Sequence, residues 1–232
     1  MQVRLIKEFY FEAAHAVPGS GVKGERLHGH SFRVELFVEG ITEPEMGWLI
    51  DFGDIRRAFR PLLDQLDHSV INEIEGMDDP SLDGIAAWIK MRLALEIPQL
   101  ADVLVTVQGD NYFNPVVLAA DPLRDLPARV KFTFEAAQSL PQLPEGHPCR
   151  RMHGHSYRVE IGAGNLEGLD KPIRALYDDL DHRSLNDIAG LKYATCEVIC
   201  KWIWDRLAQE VDDLTAVAVQ ETTTARCIYY GK

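Results

Sequence analysis

"RLHGHSFRVEL" occupies Arg26–Leu36, and "RMHGHSYRVEI" occupies Arg151–Ile161. A line written twice points to an internal repeat. Moving outward from it, "FYFEAAHAVP" (Phe9–Pro18) matches "FTFEAAQSLP" (Phe132–Pro141), and "LDHSVINEIEG" (Leu66–Gly76) matches "LDHRSLNDIAG" (Leu180–Gly190). "IAAWIKMRLA" (Ile85–Ala94) matches "VICKWIWDRLA" (Val198–Ala208), and "VLVTVQGDNYF" (Val103–Phe113) matches "AVAVQETTTAR" (Ala216–Arg226). The blocks keep their order, so two tandem units are expected, over 1–120 and 128–232. The polar, proline-bearing "AADPLRDLPAR" (Ala119–Arg129) reads as the linker between them. "EPEMGWLIDFGDI" has no counterpart in the second copy, which lacks part of a strand or loop before its first helix.

Alternation and aromatic or β-branched residues make strands of "VRLIKEFYFEAAH" and "HSFRVELFVEG". In the latter Phe32, Val34, Leu36 and Val38 share one face, with Arg33, Glu35 and Phe37 on the other. "DFGDIRRAFRPLLDQL" and "SLDGIAAWIKMRLALEI" read as helices, the second capped by Ser81. "ADVLVTVQGD" and "NPVVLAA" close the unit as strands. Each half is then β-β-α-α-β-β, an α+β unit with an antiparallel four-stranded sheet and two helices on one face. Assembly into a closed ring would cover the sheet edges.

The formal net charge of −12 argues against nucleic acid as a partner, since phosphate backbones need a basic face. No apolar run reaches the length of a membrane span, and charges interrupt the N-terminal apolar stretch, so neither a membrane nor a signal peptide is expected. The four cysteines lack disulfide-scaffold or CxxC spacing, which fits reduced thiols in the cytoplasm.

Of the eight histidines, seven fall in the repeated motifs. In HGH the imidazoles are i and i+2, so on a strand His28 and His30 share a face, as do His153 and His155. His15, ending the preceding strand, supplies a third nitrogen, and three histidines with an open position form the catalytic zinc arrangement. Asp67-His68 and Asp181-His182 each place a carboxylate beside an imidazole, which holds a tautomer and raises basicity. Cys149, four residues before His153 and beside Arg150 and Arg151, is expected to have a lowered pKa suited to a base or nucleophile. Cys196, Cys200 and Cys227 read as core packing.

Together "FTFEAA", "PEGHPCRRMHGHSYRVE", "LDHRSLNDI", "KWIWDRL" and "QETTTARCIYYG", with "FEAAH", "RLHGHSF", "GWLIDFGDI" and "LDHSVIN", resemble the 6-pyruvoyltetrahydropterin synthase superfamily, nearest its 6-carboxytetrahydropterin synthase branch of queuosine biosynthesis. The resemblance runs through both halves. It implies the tunnelling fold (T-fold), sites where subunits meet, Zn2+, and 7,8-dihydroneopterin triphosphate as substrate. By resemblance, the metal ligands are His15, His28 and His30 in one half and His153 and His155 in the other. Cys149 and the pairs Asp67-His68 and Asp181-His182 would move protons, and Glu221 with Thr222 would anchor the pterin. Triphosphate would leave, with acetaldehyde lost as well in the queuosine branch. If single-domain relatives are two stacked trimers, three tandem chains would form a homotrimer.

Each copy departs from the pattern. The first has Gly24 in place of the cysteine and Gly109 in place of Glu221; the second has Gln138 in place of His15. Several readings stay open: a synthase working in the second half, a composite site that brings Cys149 to His15, His28 and His30, a 6-pyruvoyl or other pterin lyase of aldolase-like activity, or a non-catalytic zinc- or pterin-binding protein. Arg150, Arg151, Lys23 and Arg26 are the candidate basic cluster for the triphosphate.

Overall fold

A computed structural model describes residues 1–110 and 112–231. Strand β1 (Gln2–His15) pairs antiparallel with β2 (His28–Ile41) along its whole length, from Gln2 opposite Ile41 to His15 opposite His28. Helix α1 (Phe52–Leu66) starts at Asp51, whose carboxylate accepts from Gly53 N. The two-residue β3 (Ser69–Val70), α2 (Leu82–Leu93) and β4 (Leu100–Val107) follow, giving a sheet ordered β3-β1-β2-β4. Ser81 caps α2 by accepting from Gly84 N at 3.1 Å.

The second half repeats the plan. β6 (Arg129–Gln138) pairs with β7 (His153–Ala163), again ending with Gln138 opposite His153. Then come α3 (Asp170–Leu180), β8 (Arg183–Ser184), α4 (Cys196–Leu207), β9 (Leu214–Thr222) and β10 (Ala225–Tyr229). The expectation that "NPVVLAA" completes the first sheet is corrected: β5 (Val116–Leu118) pairs with β6, so this strand inside 1–120 belongs to the second sheet, ordered β10-β9-β7-β6-β5.

The strand alternation places Phe32, Val34, Leu36 and Val38 under α1 and α2, where they meet Phe59, Leu66, Ile85 and Ile89 in one core. Phe132, Phe134, Tyr157 and Val159 build the matching core under α3 and α4. Burial of each such side chain contributes about 1.5–3 kcal/mol. The first half's extra segment forms the loop before α1 and its first turn, and the second half reaches α3 without it.

Candidate metal and acid–base centres

The first hairpin ends in a cluster. His15 lies across the pair from His28, and His30 is one pleat along. Ring centroids lie 4.7 Å (His15–His28), 4.8 Å (His28–His30) and 5.0 Å (His15–His30) apart. Each Nδ1 donates away from the cluster: His15 to the Pro80 carbonyl at 2.7 Å, His28 to the Arg26 carbonyl at 2.7 Å, and His30 to Glu135 Oε2 at 2.6 Å. That fixes the tautomer and leaves each Nε2 free to coordinate. One ligand atom from each lies within 4.8 Å of the others. Burial, then repulsion from neighbouring imidazoles, depresses the pKa of His15 to about 4 and of His30 to about 3. Three neutral imidazoles with oriented Nδ1 atoms fit Zn2+ with an open position.

The carboxylate holding His30 comes from the other half. Reciprocally, His155 Nδ1 donates to Glu12 Oε2 at 2.8 Å. Ser31 Oγ donates to Glu12 at 2.6 Å and Ser156 Oγ to Glu135 at 2.7 Å. Ser31 N donates to Ser156 Oγ at 3.1 Å, and Ser156 N to Ser31 Oγ at 3.2 Å. The two HGH glycines touch at this local two-fold: a Cβ on Gly29 would lie 2.2 Å from Gly154 Cα. The glycine therefore does more than leave room between imidazoles; it lets the halves meet backbone to backbone. Sequence reasoning missed Glu12 and Glu135, although "FEAA" is written in both copies.

The Asp–His pairs cross between halves. Asp67 Oδ1 accepts from Glu12 N at 3.0 Å, and Asp181 Oδ1 from Glu135 N at 3.1 Å, which ties each pair to its own sheet. His68 and His182 both adopt φ 54, a left-handed conformation rare outside glycine and asparagine that turns each ring outward. His182 then stacks on His28 of the first half at 4.3 Å, and His68 sits 4.5 Å from the His153 ring of the second. His182 Nδ1 lies 3.0 Å from Asp181 Oδ2, and His68 Nδ1 2.9 Å from Asp67 Oδ2. Burial works to raise the Asp181 pKa, but His182 and the Lys23 ammonium, 2.7 Å away, outweigh it and hold it well below the carboxylate range.

The second hairpin ends differently. Gln138 Nε2 donates to Glu221 Oε1, and His155 Nε2 lies 3.3 Å from the same oxygen. Gln138 Nε2 and His155 Nε2 thus face one carboxylate, and the pattern's metal position in this half lacks the three convergent imidazoles of the first. Cys149 Sγ lies 3.5 Å from His68 Nε2, not beside His182 or the first half's imidazoles. The composite of Cys149 with His15, His28 and His30 is therefore not formed within the chain.

The expectation of a lowered thiol pKa is also corrected. Burial, then the Glu221 and Asp67 carboxylates, push the Cys149 thiol up. The arginines meant to lower it are turned away: Arg150 donates to the Pro141 and Leu143 carbonyls at 2.6 and 2.5 Å, and Arg151 to the Asp67 carbonyl at 3.4 Å. With Lys23 spent on Asp181, Arg26 is left of the expected basic cluster. It lines a cavity of about 410 Å³ with Arg183, Leu27, Met152 and Asp187. Thr222 faces away from Glu221, beside Lys131, Arg158 and Thr133 on the helix-free side of the sheet. In the first half Gly109 leaves space for Glu135: a Cβ there would fall 1.5 Å from Glu135 Oε1.

Comparison with known proteins follows the same division. The 6-pyruvoyl tetrahydropterin synthase family profile matches residues 4–113 and again 128–232. A 6-carboxy-5,6,7,8-tetrahydropterin synthase from Synechocystis is 38% identical over 120 residues, which cover 48% of this chain and 93% of that protein. A dihydroneopterin monophosphate aldolase from Pyrococcus furiosus is 38% identical over 98 residues, covering 42% and 81%. The 6-pyruvoyl tetrahydropterin synthase structure from Caenorhabditis elegans aligns with a TM-score of 0.41 at 16% identity, over 46% of this chain and 96% of that one. With both halves matched and their histidine motifs placed on equivalent hairpins, the chain is a tandem member of the 6-pyruvoyl tetrahydropterin synthase family.

Proposed function

We propose that the chain is a metal-dependent pterin lyase of the 6-carboxytetrahydropterin synthase kind, acting on 7,8-dihydroneopterin triphosphate at the first-half histidine cluster. One observation carries this reading: the second half delivers an imidazole–carboxylate pair, His182 and Asp181, onto the three convergent imidazoles of the first. Zn2+ held by His15, His28 and His30 would supply Lewis acidity toward the side-chain hydroxyls of the substrate. His182 is placed to take and return a proton there. Asp181, ionised and pinned by Lys23, lies 3.0 Å from His182 Nδ1, a carboxylate beside the imidazole that would move the proton. Arg26 and Arg183, one from each half, offer positive charge for the phosphate chain in the 410 Å³ cavity.

A second reading rests on the missing thiol. Gly24 stands where the pattern has cysteine, and cleavage of a carbon–carbon bond beside a hydroxyl needs a metal and a base but no thiol. The aldolase among the relatives fits that chemistry. One experiment separates the two. Purified, zinc-loaded protein is given 7,8-dihydroneopterin triphosphate or the monophosphate, and triphosphate, acetaldehyde and phosphorylated glycolaldehyde are measured. Triphosphate with acetaldehyde establishes the synthase reaction, phosphorylated glycolaldehyde establishes aldol cleavage, and none of these products from either substrate rejects a lyase role. The open edge at β4, and the length of β1 beyond its two-residue pairing with β3, support assembly as a homotrimer of tandem chains; a monomer by light scattering would reject it.

A further inference from the structure

We propose a second ligand site on the helix-free side of the second sheet, where Lys131, Arg158 and Asp110 take inorganic phosphate as an oxyanion that still carries a proton. The proposal does not depend on which reaction the first-half centre performs.

Lys131, Thr133 and Arg158 are the repeat counterparts of Glu8, Tyr10 and Arg33. In the first half those three close on one another. Arg33 donates to Glu8 Oε1 at 2.6 Å and to Glu35 Oε1 at 3.1 Å, and Tyr10 Oη donates to Glu8 Oε2 at 2.8 Å. Lys131 in the place of Glu8 opens that arrangement: two cations now line one cavity where an ion pair stood. Glu160 does not neutralise both, because its carboxylate already meets Arg129, Arg158 and Arg226. The Lys131 ammonium is left without an ion pair among the described residues. Positive charge thus gathers on this face of a chain whose formal net charge is −12. An anion between the two cations would relieve their repulsion.

The cavity holds about 200 Å³ and is lined by Lys131, Thr133, Arg158, Asp110 and Thr222. That is below the roughly 300 Å³ at which pockets for drug-sized ligands begin, so a small ion suits it. Two of its polar atoms are buried without a hydrogen-bond partner among the described residues: Arg158 Nε, a donor, and Asp110 Oδ2, an acceptor. Leaving each unpaired costs about 1–3 kcal/mol, so a ligand that meets both is favoured. Asp110 N donates to Thr133 Oγ1 at 2.8 Å, which fixes the carboxylate beside the cations and leaves the Thr133 hydroxyl proton free to donate. A guanidinium, an ammonium and a hydroxyl call for the oxygens of an oxyanion. A carboxylate among them calls for a proton on that anion. Hydrogen phosphate supplies both, with acceptor oxygens for Lys131 and Arg158 and an O–H for Asp110. Sulfate has no proton to give, and a phosphate monoester loses its last proton near about pH 6. Either would set a bare oxygen against Asp110.

The test uses the full chain and reads binding, not activity. Labelled inorganic phosphate is dialysed to equilibrium against the protein at pH 8, with unlabelled phosphate, sulfate or methyl phosphate as competitor. The wild type should hold a phosphate that sulfate and methyl phosphate displace roughly tenfold less well than phosphate itself, because a site built to pair an O–H rejects the analogue lacking it. K131M should lose this phosphate. R26A, altered in the 410 Å³ cavity, should keep it. D110N should let sulfate compete as well as phosphate, because an amide N–H donates to either anion. Circular dichroism checks each fold, and the changed selectivity of D110N decides the matter should K131M fail to fold. A wild type with no sulfate-resistant phosphate would overturn the proposal. So would survival of that phosphate in K131M, or its loss in R26A, because the ion would then sit in the other cavity. Unchanged discrimination in D110N would show that Asp110 does not read the proton, and the assignment to hydrogen phosphate would fall.

Discussion

The two halves carry their first hairpins to the same point and finish them with different chemistry. At the first, three imidazoles face one another, each held from behind, and an imidazole–carboxylate pair arrives from the other half. At the second, one imidazole has become an amide, and a carboxylate bridges that amide and the neighbouring histidine. The thiol absent from the first site stands at the second, against the crossing imidazole His68. Duplication within one chain let each copy lose a different part. The crossing kept them dependent on each other, because neither histidine cluster is complete without Asp–His and Glu residues from its neighbour. Removing either half should therefore damage both sites.

The comparison breaks first if the wrong site does the work. His28→Ala should cost roughly 1000-fold in kcat/KM, the equivalent of about 4 kcal/mol, through loss of the metal's Lewis acidity. Cys149→Ser should cost less than tenfold. Equal losses in steady-state assays would move the reaction to the second half. Next in size is the contact that joins the sites. Gly29→Ala drives a Cβ to 2.2 Å from Gly154 Cα, backbone against backbone, and should destabilise the chain by about 3 kcal/mol in denaturant unfolding. Gly164→Ala meets only the Asp213 side chain and should be mild by comparison. The crossed carboxylates give a finer division. Glu135→Gln should weaken zinc binding at the first site about 10–100-fold in competition with a chelator, while Glu12→Gln leaves that site alone.

Much of this was legible in the sequence because it is periodic. The alternation of Phe32, Val34, Leu36 and Val38 fixed which face is buried. The i, i+2 spacing of His28 and His30, with His15 ending the strand before, fixed a cluster. What the sequence hid depends on contacts distant along the chain. Nothing local marks His68 and His182 as reaching the other half; the left-handed turn after each aspartate sends them across. Glu135 read as one more strand residue, although 105 positions separate it from the His30 that it holds. Arg150 and Arg151 read as charges beside a thiol, because sequence cannot show that loop carbonyls have taken them. The fate of β5 turned on which half offered it a free edge, and no local pattern records that.

The smallest effect sharpens the account of that thiol. Burial comes first among the causes that raise the Cys149 pKa, and the Glu221 and Asp67 carboxylates add to it. Cys149 should then be protonated at neutral pH, and its alkylation should accelerate as pH rises into the alkaline range, because the thiolate is the reacting form. Replacing Glu221 by Gln removes a negative charge that disfavours the thiolate. The pKa should fall, and alkylation of the Cys149 peptide at pH 8, followed by mass spectrometry, should quicken by less than tenfold. Arg150→Ala should leave the rate unchanged, because its guanidinium is spent on the Pro141 and Leu143 carbonyls. If Arg150→Ala slows alkylation and Glu221→Gln does nothing, the arginines govern the thiol after all. The second site would then be a primed nucleophile, with the thiol, and not only its neighbours, setting the two halves apart.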